Sequence, residues 1–311
     1  MAILADASTR ILVQGITGRE AATFTLESLR YGARVVAGVT PGKGGQQVHG
    51  VPVLDTVAAA VAAHPCDAAL ISVPAPMVLD AAGEAMANGL KLLVVVTERL
   101  ARADGLALLE RARAAGARLV GPNSLGIITP GQTRVGMAGG DAASVRLAYQ
   151  PGSIGVVSRS GGMMTEIANL LTQSGFGQST CVSIGGDQFI GTRFEDLLPL
   201  YEADPATEGL ALFCEPGGSM EERLAERLTG RPSRLPIVAF VAGRFADRNP
   251  GVRFGHAGAL VQGASGSPAR KIEALRAAGV LVADKLQQIP ELLRAALLKA
   301  AVRPAVARPE A

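Results

Sequence analysis

Tryptophan is absent from the 311 residues, and only 4% are aromatic. Base-stacking platforms for single-stranded nucleic acid are therefore not expected. The net charge of +3 is too small for a dedicated nucleic-acid surface. Cysteine is scarce: Cys66, Cys181 and Cys214 are widely spaced and odd in number. They form neither a disulfide framework nor a CxxC metal site, which fits a reducing cytoplasm. A cytoplasmic location and no metal site in this chain are the expectations. The longest nearly uninterrupted apolar run, Leu90 to Val96, is far short of the roughly 20 residues of a membrane span. The opening Met-Ala-Ile-Leu-Ala-Asp lacks the basic region and apolar core of a secretory signal. Hydrophobic residues at 48% and charged residues at 18% supply real cores and exclude a disordered chain. The length suits two domains.

Glycine is what the chain has in excess. Many of its 38 glycines stand at the ends of short β-branched runs. That pattern predicts an α/β protein whose loops need positive φ or close backbone approach to a ligand.

In the first half, strands are predicted at Ile11–Gln14, Arg34–Val39, Val51–Leu54, Ala68–Val73, Leu90–Val96 and Arg118–Val120. Helices are predicted over 20–30, from Asp55 as cap through Ala63, over 77–87 and over 103–115. This alternation gives a doubly wound parallel sheet, with ligands at the carboxyl ends of its strands. Residues 129–152 are rich in Gly, Ala and Pro and read as a connection between domains. Strands at Ser153–Ser158, Thr180–Ile184, Leu210–Cys214 and Ile237–Val241 then restart the rhythm. Helices opening at Ser160 and spanning 194–202, 220–228, 269–278 and 289–301 accompany them. The expected organisation is a Rossmann-type domain over 1–128, a connection over 129–152, a second, flavodoxin-like α/β domain over 153–301, and a frayed tail over 302–311.

Gly15-Ile-Thr-Gly18 stands between a strand and a helix, where backbone N–H groups attract a phosphate. A tight turn in any Rossmann-type unit fits the same residues. The second strand is more telling. A nicotinamide-binding domain ends it in Asp or Glu. Here it runs Gly38-Val-Thr-Pro-Gly-Lys43-Gly-Gly, with no acid and a lysine on a glycine-rich turn. A cation there suits another phosphate, so the ligand resembles a phosphorylated ADP rather than NAD. Val95-Val-Thr97-Glu98 and Pro122-Asn123 end two further strands on the same rim.

The three histidines are His49, His64 and His256. His64 reads as an exposed helix cap, and His49 lies in a loop with no evident task. His256 sits in Arg253-Phe-Gly-His256-Ala-Gly-Ala-Leu, between small residues, with room for a group to approach its ring. A neutral imidazole is a good nucleophile near pH 7 and can carry a phosphoryl group. A hydrogen-bonded structural histidine fits the same spacing. Glu215, ending the strand at Cys214, is a candidate to orient the imidazole. Ser158-Arg-Ser160-Gly161-Gly162 opens a helix, whose free N–H groups make an anion site.

Together these residues resemble the α subunit of succinyl-CoA synthetase (succinate–CoA ligase), from about Ile3 to Leu298. The motifs are Gln14-Gly-Ile-Thr-Gly18, Gly38 to Gly45, Val73-Pro-Ala-Pro76, Gly121-Pro-Asn123, Gly155 to Gly161, Gly175 to Val182, Ile184-Gly-Gly-Asp187 and Gly255-His-Ala-Gly-Ala259. The resemblance implies a coenzyme A site at Thr17, Gly18, Arg19, Glu20, Val39, Pro41, Lys43, Val96, Thr97, Glu98 and Asn123. It implies that His256 is phosphorylated in turnover, that Glu215 contacts it, and that Ser160, Gly161 and Gly162 hold its phosphate. It also implies a β subunit bearing an ATP-grasp site for ATP or GTP with Mg²⁺, in a heterodimer or heterotetramer. The chain has no Walker-type phosphate loop, in keeping with nucleotide arriving from a partner.

Departures stand beside the likeness. The family's substrate-contacting tyrosine is Thr165 here, the CoA-side Ser-Gln-Gly is Arg19-Glu20-Ala21, and Asn-Cys-Pro-Gly is Asn123-Ser-Leu-Gly126. The implied function is an acid–thiol ligase of the tricarboxylic acid cycle type. It makes acyl-CoA from a dicarboxylic acid, coenzyme A and ATP or GTP through an acyl phosphate and a phosphohistidine. The family's acid is succinate, and the loss of the tyrosine points away from plain succinate to a substituted succinate such as malate or itaconate. Three other readings compete. A non-catalytic CoA-binding or regulatory homologue needs neither Glu215 nor His256. A nicotinamide oxidoreductase lacks its acid after the second strand. A monocarboxylate acyl-CoA synthetase commonly fuses these domains in a longer chain.

Overall fold

The computed structural model describes residues 2–248, 255–261 and 266–302. The predicted tail lies almost wholly outside them. The first unit runs β1 (Arg10–Gln14), α1 (Arg19–Tyr31), β2 (Arg34–Val39), β3 (Gln47–Val48), β4 (Val51–Leu54), α2 (Val57–Ala63) and β5 (Ala68–Ile71). It continues with α3 (Val78–Ala87), β6 (Leu92–Val95), α4 (Arg102–Ala114) and β7 (Arg118–Val120). Its sheet has the order β3-β4-β2-β1-β5-β6-β7. All neighbours are parallel except the short β3, which is antiparallel to β4. The strand order reverses at β1, so a crevice opens where β1, β2 and β5 end.

The second unit runs β8 (Gly126–Thr129), β9 (Thr133–Gly136), α5 (Ala142–Ala148), β10 (Pro151–Ser158), α6 (Gly161–Gln173), β11 (Gln178–Ser183) and α7 (Phe194–Ala203). It continues with β12 (Gly209–Cys214), α8 (Met220–Gly230), β13 (Ile237–Val241), α9 (Pro268–Ala277), β14 (Leu281–Ala283) and α10 (Ile289–Val302). Its sheet has the order β14-β13-β12-β10-β11-β8-β9. The order reverses at β10, whose carboxyl end carries Arg159 and the start of α6. Buried parallel strands read as unbroken apolar runs, and β5, β6 and β12 are buried at every residue. Helix α6 buries Met164, Ile167, Ala168 and Leu171, one face at helical spacing. Each large apolar side chain there contributes about 1.5–3 kcal/mol of burial.

Two expectations need correction. Residues 129–152 are more than a connection: they carry β9 and α5, and β8 pairs antiparallel with both β11 and β9. The Gly-rich composition misled because the hairpin needs glycine. A Cβ on Gly126, at φ +96°, would lie 1.9 Å from the Val135 carbonyl oxygen. Asp55 does not cap α2. Thr56 does, its hydroxyl accepting from the Ala59 N–H at 3.1 Å. The Asp55 carboxylate instead accepts from the Gly44 N–H at 2.9 Å and pins the turn that carries Lys43. Strands β3 and β14, two and three residues long, escaped the sequence pattern.

The two units share one continuous apolar core, in which Val94 and Val120 join Ile127, Val157 and Ile184. Polar ties cross the same boundary: Ser28 Oγ donates to the Gly136 carbonyl at 3.2 Å, and Thr129 Oγ1 to that of Ala5 at 2.7 Å. No helix among the described residues is long and apolar enough to cross a membrane.

Candidate active site

The residues expected to hold coenzyme A fall along the carboxyl ends of β1, β2, β6 and β7. Gly18, Arg19, Glu20, Pro41, Lys43 and Glu98 are exposed, and Thr17, Val96, Thr97 and Asn123 are half-buried. Gly18 enters α1 without a side-chain cap, so first-turn N–H groups face the crevice. Thr17 Oγ1 pairs with Thr40 Oγ1 at 3.2 Å across the ends of β1 and β2. Thr97 Oγ1 donates to the Val73 carbonyl at 2.6 Å, and the Asn123 N–H to the Thr97 carbonyl at 2.9 Å. The Val39 side chain is 3% exposed and packs into the core. Its carbonyl accepts from Gly15 N–H and from Thr40 Oγ1.

Across the crevice stands His256. Its Nδ1 lies 3.0 and 2.8 Å from the two carboxylate oxygens of Glu215, which follows β12. A carboxylate only accepts, so Nδ1 carries the proton and Nε2 presents its lone pair. The Glu215 hydrogen bond raises the imidazole pKa above its ordinary value, and burial opposes it. Arg159 lowers it, while the charges of Glu215 and Glu98 raise it further. Glu98, exposed just after β6, thus acts on the charge of His256 from the other side of the crevice. The ring rests on Gly186, where a Cβ would meet His256 Cγ at 2.4 Å. His49 is exposed at φ 51°, and His64 is the half-buried C-cap of α2.

Behind the pair lies a buried ionic cluster. Arg159, 2% exposed, donates from Nη1 to the carbonyls of Glu215, Pro216 and Gly217 at 3.1–3.2 Å. Glu221 accepts from the Glu215 N–H at 3.4 Å and from Lys271 Nζ. Lys271 also donates to Glu222 Oε2 at 2.9 Å and to the Gly218 carbonyl at 3.0 Å. Sequence reasoning gave these groups no role. Arg159 stood inside a quoted motif, but Glu221 and Lys271 look like ordinary charges on amphipathic helices.

Helix α6 opens as expected. Ser160 Oγ accepts from the Met163 N–H at 3.5 Å. Ser158 Oγ donates to the Ser160 carbonyl at 2.5 Å and accepts from its N–H at 3.0 Å. Gly162 faces open space, whereas Gly161 packs against Leu125, where a Cβ would come within 2.1 Å. Thr165 lies one turn further on, its Oγ1 2.9 Å from the hydroxyl of Tyr149. Tyr149 is 1% exposed, and burial pushes its pKa far up. A tyrosine hydroxyl is thus present beside Thr165, delivered from the end of α5. The cysteines are free, and burial raises all three thiols, Cys66 to about 11.

Two α/β units that face each other across a crevice, one with glycine-rich strand ends and the other with a carboxylate-bound histidine, are those of a two-domain CoA ligase, as comparison shows. Residues 6–99 match the CoA binding domain model, and 157–281 the CoA-ligase model. A succinate–CoA ligase [ADP-forming] subunit alpha 2 of Archaeoglobus fulgidus is 45% identical over 293 residues, 94% of this chain and 99% of that protein. The chain belongs to the succinate–CoA ligase α-subunit family. It is also similar to an ADP-forming sulfoacetate-CoA ligase subunit of Bilophila wadsworthia, 39% identical over 96% of this chain and 100% of that one. Among solved structures, ATP citrate lyase from Methanothrix soehngenii, in complex with citrate and coenzyme A, superposes with a TM-score of 0.88 at 26% identity. The match takes in 99% of this chain and 53% of that one, so the chain spans about half the length of that lyase.

Proposed function

We propose that this chain is the α subunit of an ADP-forming acid–CoA ligase that works through a phosphohistidine at His256. The observation that carries the reading is the Glu215–His256 pair, with Nδ1 held at 2.8 Å and Nε2 left to attack. A module that only binds coenzyme A needs no such pair. Nε2 attacks the terminal phosphorus of the nucleotide, and the bond to the departing diphosphate breaks. Glu215 holds the Nδ1 proton and offsets the charge gained by the ring. A carboxylate oxygen of the acid then takes the phosphoryl group, giving an acyl phosphate and restoring His256. The thiol of coenzyme A attacks the acyl carbon, and phosphate leaves. The start of α6 supplies the Gly161 and Gly162 N–H groups toward the phosphoryl charge, and Ser160 offers its hydroxyl, its own N–H being taken by Ser158 Oγ.

Thr17 to Glu20, Pro41, Lys43, Thr97, Glu98 and Asn123 are assigned to coenzyme A. The nucleotide and Mg²⁺ are assigned to a β subunit with an ATP-grasp domain. The acid is assigned as a substituted succinate such as malate or itaconate, because Thr165 paired with Tyr149 replaces a larger side chain in the helix. The family relatives named for succinate and for sulfoacetate support an acid with two anionic ends. Turnover across succinate, malate, itaconate and sulfoacetate tests the assignment. Succinate preferred by a wide margin would sink the substituted-acid reading.

The direct test is labelled ATP with Mg²⁺ on the chain co-assembled with its β subunit, with His256→Ala as control. Acid-labile label that depends on His256 and discharges with acid and coenzyme A is expected. A folded complex that binds coenzyme A but takes no label would overturn the reading.

Titration of the pair gives a second expectation. His256 accepts phosphoryl only when neutral, and its pKa is raised chiefly by the Glu215 hydrogen bond. Phosphorylation should therefore fall on acidification through that raised pKa. Glu215→Gln should move the acid limb to lower pH, while the plateau drops on the order of tenfold for lost orientation and charge compensation. Any stability from the pair is present at low pH and lost as pH rises through the folded pKa. An acid limb unmoved in Glu215→Gln would show that the carboxylate does not set the titration.

A further inference from the structure

We propose that Asp187 is a positioning residue that clamps the coenzyme A side of the crevice onto the loop bearing His256. The inference rests on the ligase reading above. Asp187 belongs to the second unit, in the turn after β11, and is 6% exposed. Its carboxylate reaches across to the first unit. Oδ1 accepts from the Arg99 N–H at 3.1 Å, and Oδ2 from the Leu100 N–H at 3.3 Å. Both oxygens thus grip the backbone just after Thr97 and Glu98. Arg99 itself is left-handed, at φ 60°. For a residue with a Cβ that conformation costs on the order of 1–2 kcal/mol and must be imposed by its surroundings.

The residue before Asp187 makes the other half of the clamp. The Gly186 carbonyl accepts from the Gly258 N–H at 3.1 Å, two residues beyond His256, whose ring lies on Gly186 itself. The Gly186 N–H donates to the Asn123 carbonyl at 3.3 Å, and the Asn123 N–H to the Thr97 carbonyl at 2.9 Å. One dipeptide therefore touches the strand-end loops of β6 and β7 on one side and the His256 loop on the other. The thiol must meet an acyl phosphate formed beside His256, and misplacement by about 1 Å can cost a hundredfold in rate. Asp187 sets that separation without touching the reacting atoms. Among the described residues, the charged groups that act on the His256 ring are Glu215, Arg159 and Glu98; Asp187 acts on the last of these by holding the backbone beside it.

The test separates the half-reaction from the whole. In the α chain assembled with its β subunit, Asp187→Ala should leave ATP-driven phosphohistidine formation, measured without coenzyme A, within about threefold. Acyl-CoA formation at saturating coenzyme A should fall tenfold or more, the size of a lost charge-assisted hydrogen bond. Asp187→Asn keeps one accepting oxygen in an isosteric side chain and should lose less. The proposal is overturned if acyl-CoA formation is unchanged in both variants. It is equally overturned if phosphohistidine formation falls as far as the overall rate, since that is general loosening. Wild-type enzyme that binds coenzyme A but never forms a phosphohistidine removes the ligase reading, and the inference with it.

Discussion

Gly186→Ala should cut phosphohistidine formation by about a hundredfold or more while the fold persists. The added Cβ would lie 2.4 Å from His256 Cγ, 2.6 Å from Nδ1 and 2.7 Å from Cδ2. Carbon atoms cannot approach so closely, so one side must give way. Gly186 is not among the positive-φ glycines, so alanine suits its backbone. The turn is held from both sides by the Asn123 carbonyl and the Gly258 N–H. The ring is the freer partner, being attached to one loop and tied by a single carboxylate. It should swing off Glu215, and displacement of a reacting atom by about 1 Å is enough for the stated loss. Coenzyme A binding is the internal control, because the Thr17–Glu20 turn and Lys43 stand on other elements. Equilibrium binding unchanged, circular dichroism unchanged and label lost is the expected combination. Full labelling in Gly186→Ala would mean that the ring does not rest on this glycine during turnover.

That contact shows where sequence reading stops. The sheets were legible because a buried parallel strand is an unbroken apolar run with a glycine two or three residues beyond it, as at Leu210–Cys214 and Ile237–Val241. The hairpin Gly126–Gly136 was not, because glycines required for close strand contact look like those of a linker. Glu215 and His256, 41 residues apart, could both be nominated. One ends a strand, and the other sits among small residues. Residue type and position nominated both roles and the pairing beside a structural alternative, the family resemblance implied them, and the fold supplies the 2.8 Å contact. Asp187 and Gly186 lay in a quoted motif, but that motif does not say which loop each one grips. Asp55 and Thr56 both suit an N-cap. The Gly44 N–H decided between them, and no local rule sees eleven residues back.

Lys271→Met should destabilise the second unit by about 3–5 kcal/mol, the cost of stripping the partner from a buried charge. Lys271 and Glu221 are both fully buried. The ammonium has three donors, and all are used, on Glu221, Glu222 and the Gly218 carbonyl. Two cations, Arg159 and Lys271, balance two anions, Glu221 and Glu222. Methionine fills nearly the same volume, so the change removes charge without opening a cavity. It leaves Glu221 with only the Glu215 N–H at 3.4 Å and Arg159 Nη1 at 4.0 Å. Chemical unfolding of the assembled protein should show the loss as a lower midpoint. Adding Glu221→Gln to Lys271→Met should recover part of it, since the uncompensated charge is then gone. A loss below about 1 kcal/mol would mean that water reaches the cluster. A buried ion pair is weak evidence of net stability, because apolar side chains of similar volume often do as well. What apolar side chains cannot do is grip carbonyl and N–H groups. Through Arg159 and Glu221 the cluster holds the backbone of residues 215–217 by three carbonyls and one N–H. It thereby fixes where the Glu215 carboxylate can stand, and with it the one free nitrogen of His256.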